Sequence, residues 1–253
     1  MPDRFTGKTA VITGAGGALG RAVAEGIARE GGQLVLFDLS EDALAETAAL
    51  CPGAVTVPGD ITQAADVQRA AQVAQDSFGG VDLVVAAAGI IGPSCSAIDV
   101  EEEDWDRLFA INVKGCWLTA KSFIPQMRAK RAGSMVLLSS TAGMIGSPFL
   151  PAYSASKGAV VQLMRSLAIA HAPEAIRVNC VCPGTIESPM HRSNVDRFEG
   201  EAREALMKRL LAVHPMGRFG TPNEVAEATL YLLSDAASFT TGVALPVDGG
   251  RLA

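Results

Sequence analysis

The chain has 253 residues, 49% of them hydrophobic and 26 of them glycine, which is enough for one sizeable core in an α/β domain. A formal net charge of −6 without any basic stripe speaks against nucleic acid and against an anionic membrane surface as partners. The longest apolar run, around LVVAAAGIIG, is too short to span a bilayer, and the start MPDRFTGK lacks the apolar stretch of a secretory signal, so a soluble cytoplasmic protein is expected.

In chain order, strand-like and helix-like segments alternate from end to end, with no linker, charge block or repeat between them. A first strand is expected over 8–13, then the glycine loop TGAGGALG, then a helix over 19–30 that Gly31 and Gly32 stop. The loop starts the dinucleotide pattern G-x-G-x-x-G at Gly14 and Gly16 but has Leu19 where its last glycine belongs, so alone it is weak evidence. The strand QLVLFD ends in Asp38. Ser40 is placed to cap the next helix, EDALAETAAL, which leaves Asp38 without a capping task. A strand near AVTVP leads to Asp60 and a helix to about 78, and the strand VDLVVAAA is apolar on both faces, as the centre of a parallel sheet requires.

A long helix over 102–129, the strand SMVLLS, a loop holding Gly143 and Gly146, and a helix to about 170 come next. In the strand IRVNCVC, Cys180 and Cys182 face one side of the sheet, where small apolar groups belong, so burial is expected of them and redox chemistry is not. Five cysteines without CxxC spacing suit free thiols in a reducing compartment. The histidines, His171, His191 and His214, have no thiol or carboxylate at metal-ligand spacing, so no metal is expected. Residues 188–213 are mostly polar and follow a strand end, where open α/β sheets place their ligands, which makes them a candidate substrate lid. Thr221-Pro222-Asn223-Glu224 has the make-up of a capping box that starts a helix to about 233, and GVALPV closes the sheet. The whole reads as a single-domain Rossmann-type doubly wound parallel sheet of about seven strands with helices on both faces, spanning residues 1–253.

The strongest local signal is YSASK, because i,i+4 spacing puts the phenol of Tyr153 and the ammonium of Lys157 on one helical face. A phenol keeps its proton at neutral pH, and releasing it there takes roughly 4 kcal/mol of preferential phenolate stabilisation, which a nearby ammonium and a nicotinamide cation could supply. Alone, such a pair is equally a surface contact.

With its context, the chain from about 5 to 250 resembles the short-chain dehydrogenase/reductase family. That family places a serine thirteen residues before the tyrosine, which selects Ser140 over Ser139, and an asparagine on the preceding long helix, which matches Asn112 in INVKG. The resemblance implies a catalytic set of Asn112, Ser140, Tyr153 and Lys157. Tyr153 would be the general acid/base, Ser140 would hold the substrate oxygen, Lys157 would bond the nicotinamide ribose, and Asn112 would anchor a relay water. It also implies a homotetramer, with helices around 105–128 and 153–170 packing across subunits.

The same resemblance implies that Gly14, Gly16, Gly17, Ala18, Leu19 and Gly20 face the pyrophosphate of NAD, and that Asp60 and Ile61 lie near the adenine. Ala87, Ala88 and Gly89 would approach the adenosine ribose, and Pro183, Gly184, Ile186 and Ser188 would hold the nicotinamide carboxamide. Asp38 favours NAD, since a carboxylate at this strand end can accept from both ribose hydroxyls and repels the extra phosphate of NADP; a solvated loop aspartate is the alternative. For Asp60 the alternative is a strand-end turn in which Thr62 caps the next helix.

Two departures from the family pattern carry expectations. Ala18 replaces the middle glycine of T-G-x-x-x-G-x-G, which is harmless at negative φ near a helix start and hands the backbone freedom to Gly16 or Gly17. AAAG replaces N-N-A-G, so Ala86 and Ala87 lack side-chain bonds that tie the central strand to its neighbours.

The leading expectation is an NAD-dependent dehydrogenase or reductase of a small, apolar secondary alcohol or ketone, with Ile91, Met144, Ile145, Leu150 and Met190 around the substrate. His191 and Arg192 could greet an anionic group or form a solvated face. A 3-oxoacyl-acyl-carrier-protein reductase, a dehydrogenase of a cyclic diol, sugar or steroid, and a nucleotide-sensing protein without turnover are the alternatives.

Overall fold

Short apolar runs bounded by glycine, proline and polar turns dictate strands, and each such run forms one. The computed structural model describes residues 3–253. Its strands are β1 (Thr9–Thr13), β2 (Gln33–Asp38), β3 (Val55–Pro58), β4 (Leu83–Ala86), β5 (Gly133–Leu138), β6 (Ile176–Pro183) and β7 (Ala244–Val247). They form one parallel sheet in the order β3-β2-β1-β4-β5-β6-β7. The chain winds outward from β1 to β3, then returns to lay β4 on the other side of β1. A crevice therefore opens beyond the carboxyl ends of β1 and β4.

Alternation along the strands divides the core into two layers. Val11, Val35, Val84, Met135 and Cys180 point to one face, under α3 (Ala64–Phe78), α5 (Gly115–Lys130) and α6 (Pro151–His171). Ala10, Ile12, Leu36, Val85 and Val136 point to the other, under α1 (Ala18–Arg29), α2 (Glu41–Leu50) and α9 (Pro222–Leu233). Cys180 and Cys182 both lie in the first layer, where burial pushes their thiols up, Cys182 to about 11. They are packing groups, as their alternation predicts.

Caps follow local chemistry. Ser40 accepts from the Ala43 amide at the start of α2, and Thr221 with Glu224 forms the expected capping box of α9. Thr62 caps nothing: α3 begins after Gln63, and Asp60 Oδ1 takes the Thr62 amide at 2.8 Å in a tight turn. The long helix expected over 102–129 is interrupted. It consists of α4 (Glu102–Phe109) and α5, joined by a π turn at Ala110–Lys114 in which the Gly115 amide reaches back to the Ala110 carbonyl. The extra residue of such a turn breaks the regular bonding ladder at Asn112. Among the described residues no helix is long and apolar enough to cross a membrane.

Candidate active site

The glycine loop joins β1 to α1 at the crevice. Gly14 carries the left-handed backbone, with φ of 70°, and a Cβ there would fall 2.5 Å from the Ala88 amide nitrogen. Backbone freedom therefore resides at Gly14; Gly17 is extended, with φ of −74° and ψ of 157°, and Gly16 is not in the left-handed region. Ala18 is the first residue of α1 and has negative φ, so its methyl is accommodated. Gly20 lies against the loop, since a Cβ there would meet the Gly14 carbonyl oxygen at 2.2 Å. No side chain caps α1 and its first turn holds no acid, so its leading amides are free to meet a phosphate.

Asp38, half-buried at the end of β2, is not idle. Its Oδ2 accepts from the Gly16 amide at 2.9 Å and its Oδ1 from the Ser40 amide at 3.2 Å. The carboxylate thus clasps the glycine loop to the second strand. A Cβ on Gly16 would come 3.2 Å from this carboxylate and 2.6 Å from Ala43, so the loop fits only without a side chain there.

Across the crevice, α6 carries Tyr153 and Lys157. Lys157 is buried, with its Nζ donating to the Leu138 carbonyl at 2.9 Å and lying 5.7 Å from the centre of the Tyr153 ring. A buried ammonium with one such partner keeps two N–H groups for ligand oxygens. Ser139 and Ser140 separate clearly. Ser139 is buried and donates to the Lys157 carbonyl at 2.8 Å, whereas Ser140 is half-buried and accepts from the Ala142 amide.

Asn112, fully buried in the π turn, stands behind this group. Its Oδ1 accepts from the Ile90 amide and its Nδ2 donates to the Ile90 carbonyl, each at 2.9 Å, with a further bond to Ser156 Oγ at 3.1 Å. Ser156 in turn donates to the Tyr153 carbonyl. The Asn112 side chain thereby ties the end of β4 to the helix that bears the tyrosine. Gly89 sits between them, since a Cβ there would approach Asn112 Oδ1 at 3.1 Å and Lys157 Nζ at 3.2 Å.

The third wall follows β6. Ser188 caps α7 (Pro189–Val195) by accepting from the His191 amide, which leaves its hydroxyl proton free to donate. His214 follows α8 (Gly200–Ala212) and is buried. Its Nε2 accepts from the Thr185 amide at 3.1 Å, so its Nδ1 carries the proton donated to the Leu210 carbonyl at 2.7 Å. One neutral imidazole therefore links the end of α8 to the segment 183–188. His191 stacks edge-on against Phe219, as His214 does, and burial lowers its affinity for a proton. Together these walls enclose a cleft of about 640 Å³ that Ser140, Tyr153, Pro183, Gly184, Ile186 and Ser188 all line.

A family model described as enoyl-(acyl carrier protein) reductase matches residues 14–251. The chain is 38% identical to 2-(S)-hydroxypropyl-CoM dehydrogenase 3 of Xanthobacter autotrophicus over 100% of both chains. The chain belongs to the short-chain dehydrogenase/reductase family. It is also 35% identical to a 3-oxoacyl-(acyl-carrier-protein) reductase of Thermotoga maritima over 98% of each chain. The crystal structure of NAD+-bound xylitol dehydrogenase matches with a TM-score of 0.93 at 32% identity, covering 97% of this chain and 99% of that one.

Within this family frame, the residues expected at the cofactor fall along one edge of the sheet, with exceptions in detail. The Ile61 side chain is buried and packs close to Gly115, and Ala87, Ala88 and Gly89 are half-buried at the end of β4. Of the expected substrate residues, Ile91, Leu150 and Met190 line the cleft. Met144 and Ile145 do not: they follow the turn Thr141–Gly143 and stand exposed outside its lining. Arg192 is exposed as well, while His191 is in the wall. Thr13, in register with Ala86 on β4, has its Oγ1 buried with no hydrogen-bond partner among the described residues. His214 and the Asp38 clasp were not expected; a lone histidine in the apolar setting AVHPM is the one signal that pointed to the former.

Proposed function

We propose that this oxidoreductase transfers a hydride between NAD(H) and a small secondary alcohol or ketone with an apolar portion beside the reacting carbon. The observation that carries the reading is the convergence on one cleft of Tyr153 and Ser140, with the buried ammonium of Lys157 beneath the phenol ring. NAD supplies the hydride-accepting carbon of its nicotinamide. Gly14, Gly16, Gly17, Ala18, Leu19 and Gly20 would carry its pyrophosphate on the free amides of α1, Asp38 its adenosine ribose, and Asp60 and Ile61 its adenine. The NAD+-bound relative supports the choice of cofactor, as does the negative charge of Asp38, which disfavours an added ribose phosphate.

At the reacting centre Ser140 would donate to the substrate oxygen while Tyr153 takes its proton, or returns it in reduction. Lys157 would present its charge to the phenolate and its free N–H groups to ribose hydroxyls. Asn112 would hold the helix geometry and, through the π turn, offer backbone to a relay water. Ile186 and Ser188 would fix the carboxamide, and residues 188–213 would act as the lid of a single catalytic domain. Exposed Trp105, Trp117 and Ile169 on α4, α5 and α6 support a homotetramer, and the free cysteines a reducing cytoplasm.

The test is absorbance of NADH with a panel of secondary alcohols and ketones. Tyr153→Phe should lower kcat by about 10² to 10⁴ while NAD binding by calorimetry is retained. Turnover that survives Tyr153→Phe refutes the assignment. A 3-oxoacyl-acyl-carrier-protein reductase is the second reading, favoured by the Thermotoga relative, and it predicts reduction of acyl-thioester ketones.

A further inference from the structure

The cleft has an unusual charge. The protein carries 27 acidic and 21 basic side chains, yet no aspartate or glutamate lines the cleft, and Arg209 and Arg251 do. Arg251 follows β7 and is half-buried, and desolvation lowers its pKa against a weaker opposing pull from Asp248. Asp248 does not pair with it. The two oxygens of that carboxylate accept from the Gly250 and Leu252 amides, each at 3.0 Å. Among the described residues the Arg251 side chain has neither an ion pair nor a hydrogen bond. Arg209, on α8, lies with its guanidinium 4.0 Å over the Phe149 ring, a stacking that leaves its edge donors free. A guanidinium drawn partly out of water with its donors unfilled is unfavourable until an acceptor arrives.

We propose that the substrate bears a compact anionic group, a carboxylate or sulfonate, that Arg251 receives as a bidentate partner, with Arg209 as the second cation of the same cleft; this rests on the oxidoreductase reading above. Cofactor phosphates are a poorer match. Gly14, Gly16 and Gly17, which form the phosphate cradle, do not line this cleft, and of the α1 start only Leu19 reaches it. His191 is no rival cation, because its burial favours the neutral ring. The apolar wall of Ile91, Leu150 and Met190 would take the alkyl portion between the reacting carbon and the anion.

The experiment compares 4-hydroxypentanoate with its methyl ester, a neutral molecule of similar shape, and repeats the comparison with a hydroxyalkanesulfonate. The wild type should favour the anions by at least about tenfold in kcat/KM. Arg251→Met should abolish most of that preference with the ester rate and the KM for NAD unchanged, Arg251→Lys should restore part of it, and Arg209→Met should weaken it. Equal rates for acid and ester in the wild type, or an Arg251→Met variant that loses NAD affinity and keeps the preference, would overturn the proposal. If no alcohol is oxidised, calorimetry of 4-oxopentanoate with the enzyme–NADH complex decides. Saturable binding lost in Arg251→Met sustains the anion site while the oxidoreductase reading fails, and absence of binding overturns the anion site itself.

Discussion

Thr13 offers a quantitative test of the central sheet. It ends β1, is 1% exposed, and pairs in register with Ala86 of β4, so both side chains point to the same buried face. Its hydroxyl has no partner, and an unpaired hydroxyl removed from water costs about 1–3 kcal/mol. Thr13→Val keeps the shape and deletes that polar atom, so it should raise stability by roughly 1–2 kcal/mol, a Tm gain of about 2–4 °C per kcal/mol for a chain of this size. The assay is thermal unfolding of the ligand-free protein, with Thr13→Ser as a control that keeps the hydroxyl and loses the methyl.

A second arm places asparagine at the neighbouring strand position. Ala86→Asn overfills a site only 1% exposed, but its amide comes within reach of the Thr13 hydroxyl. The substitution should therefore cost about 0.5–1.5 kcal/mol less beside Thr13 than beside valine, read as the coupling energy of a double-mutant cycle. A Thr13→Val protein that melts below the wild type, or a cycle with no coupling, refutes the idea that an orphaned hydroxyl marks the lost asparagine.

Three further outcomes are expected. His214→Leu strips partners from the Thr185 amide and the Leu210 carbonyl, and should cost about 2–5 kcal/mol in denaturant unfolding and raise the KM for NAD; a loss under about 1 kcal/mol contradicts the link. Asp38→Ala releases the Gly16 and Ser40 amides and should raise the KM for NAD about tenfold or more while narrowing its preference over NADP; a wild type that prefers NADP refutes the assignment. Arg218 and the Thr221 amide lower the pKa of Glu224 to about 2, below its unfolded value, so its stabilisation is complete above about pH 4.5 and vanishes as pH falls toward 2. The Tm gap between wild type and Glu224→Gln should close over that range, and a gap independent of pH argues against the pairing.

Sequence made the sheet and most helices legible because each depends on local pattern: apolar runs for strands, 3.6-residue periodicity for helices, Ser40 and Thr221 for caps. Cys180 and Cys182 were legible for the same reason. The π turn was not, because INVK fits an uninterrupted helix, and the bonds that hold Asn112 there run to the distant Ile90 backbone and Ser156. Met144 and Ile145 read as apolar pocket residues, but after the turn at Thr141–Gly143 they stand exposed outside the cleft lining, and such placement is a tertiary property. His214 acts through residues 29 and 4 positions away, and the Arg251 environment depends on β7 meeting the lid segment, so neither leaves a spacing to read.

The Asp38 clasp changes what the glycine loop means. A loop whose glycines miss the usual spacing need not rely on those spacings for its shape if another group fixes it, and Asp38 fixes it by binding the Gly16 amide from β2. Gly14 carries the left-handed backbone where the loop passes Ala87 and Ala88, and Gly16 lacks a side chain where both Ala43 and the Asp38 carboxylate close in. Ala18, already inside α1, meets neither demand, which is why a methyl is tolerated there. The group proposed to choose between NAD and NADP is thus also the group that shapes the phosphate cradle. Changing cofactor preference at this position should accordingly require compensation in the loop, with a residue other than Asp38 supplied to hold the Gly16 amide.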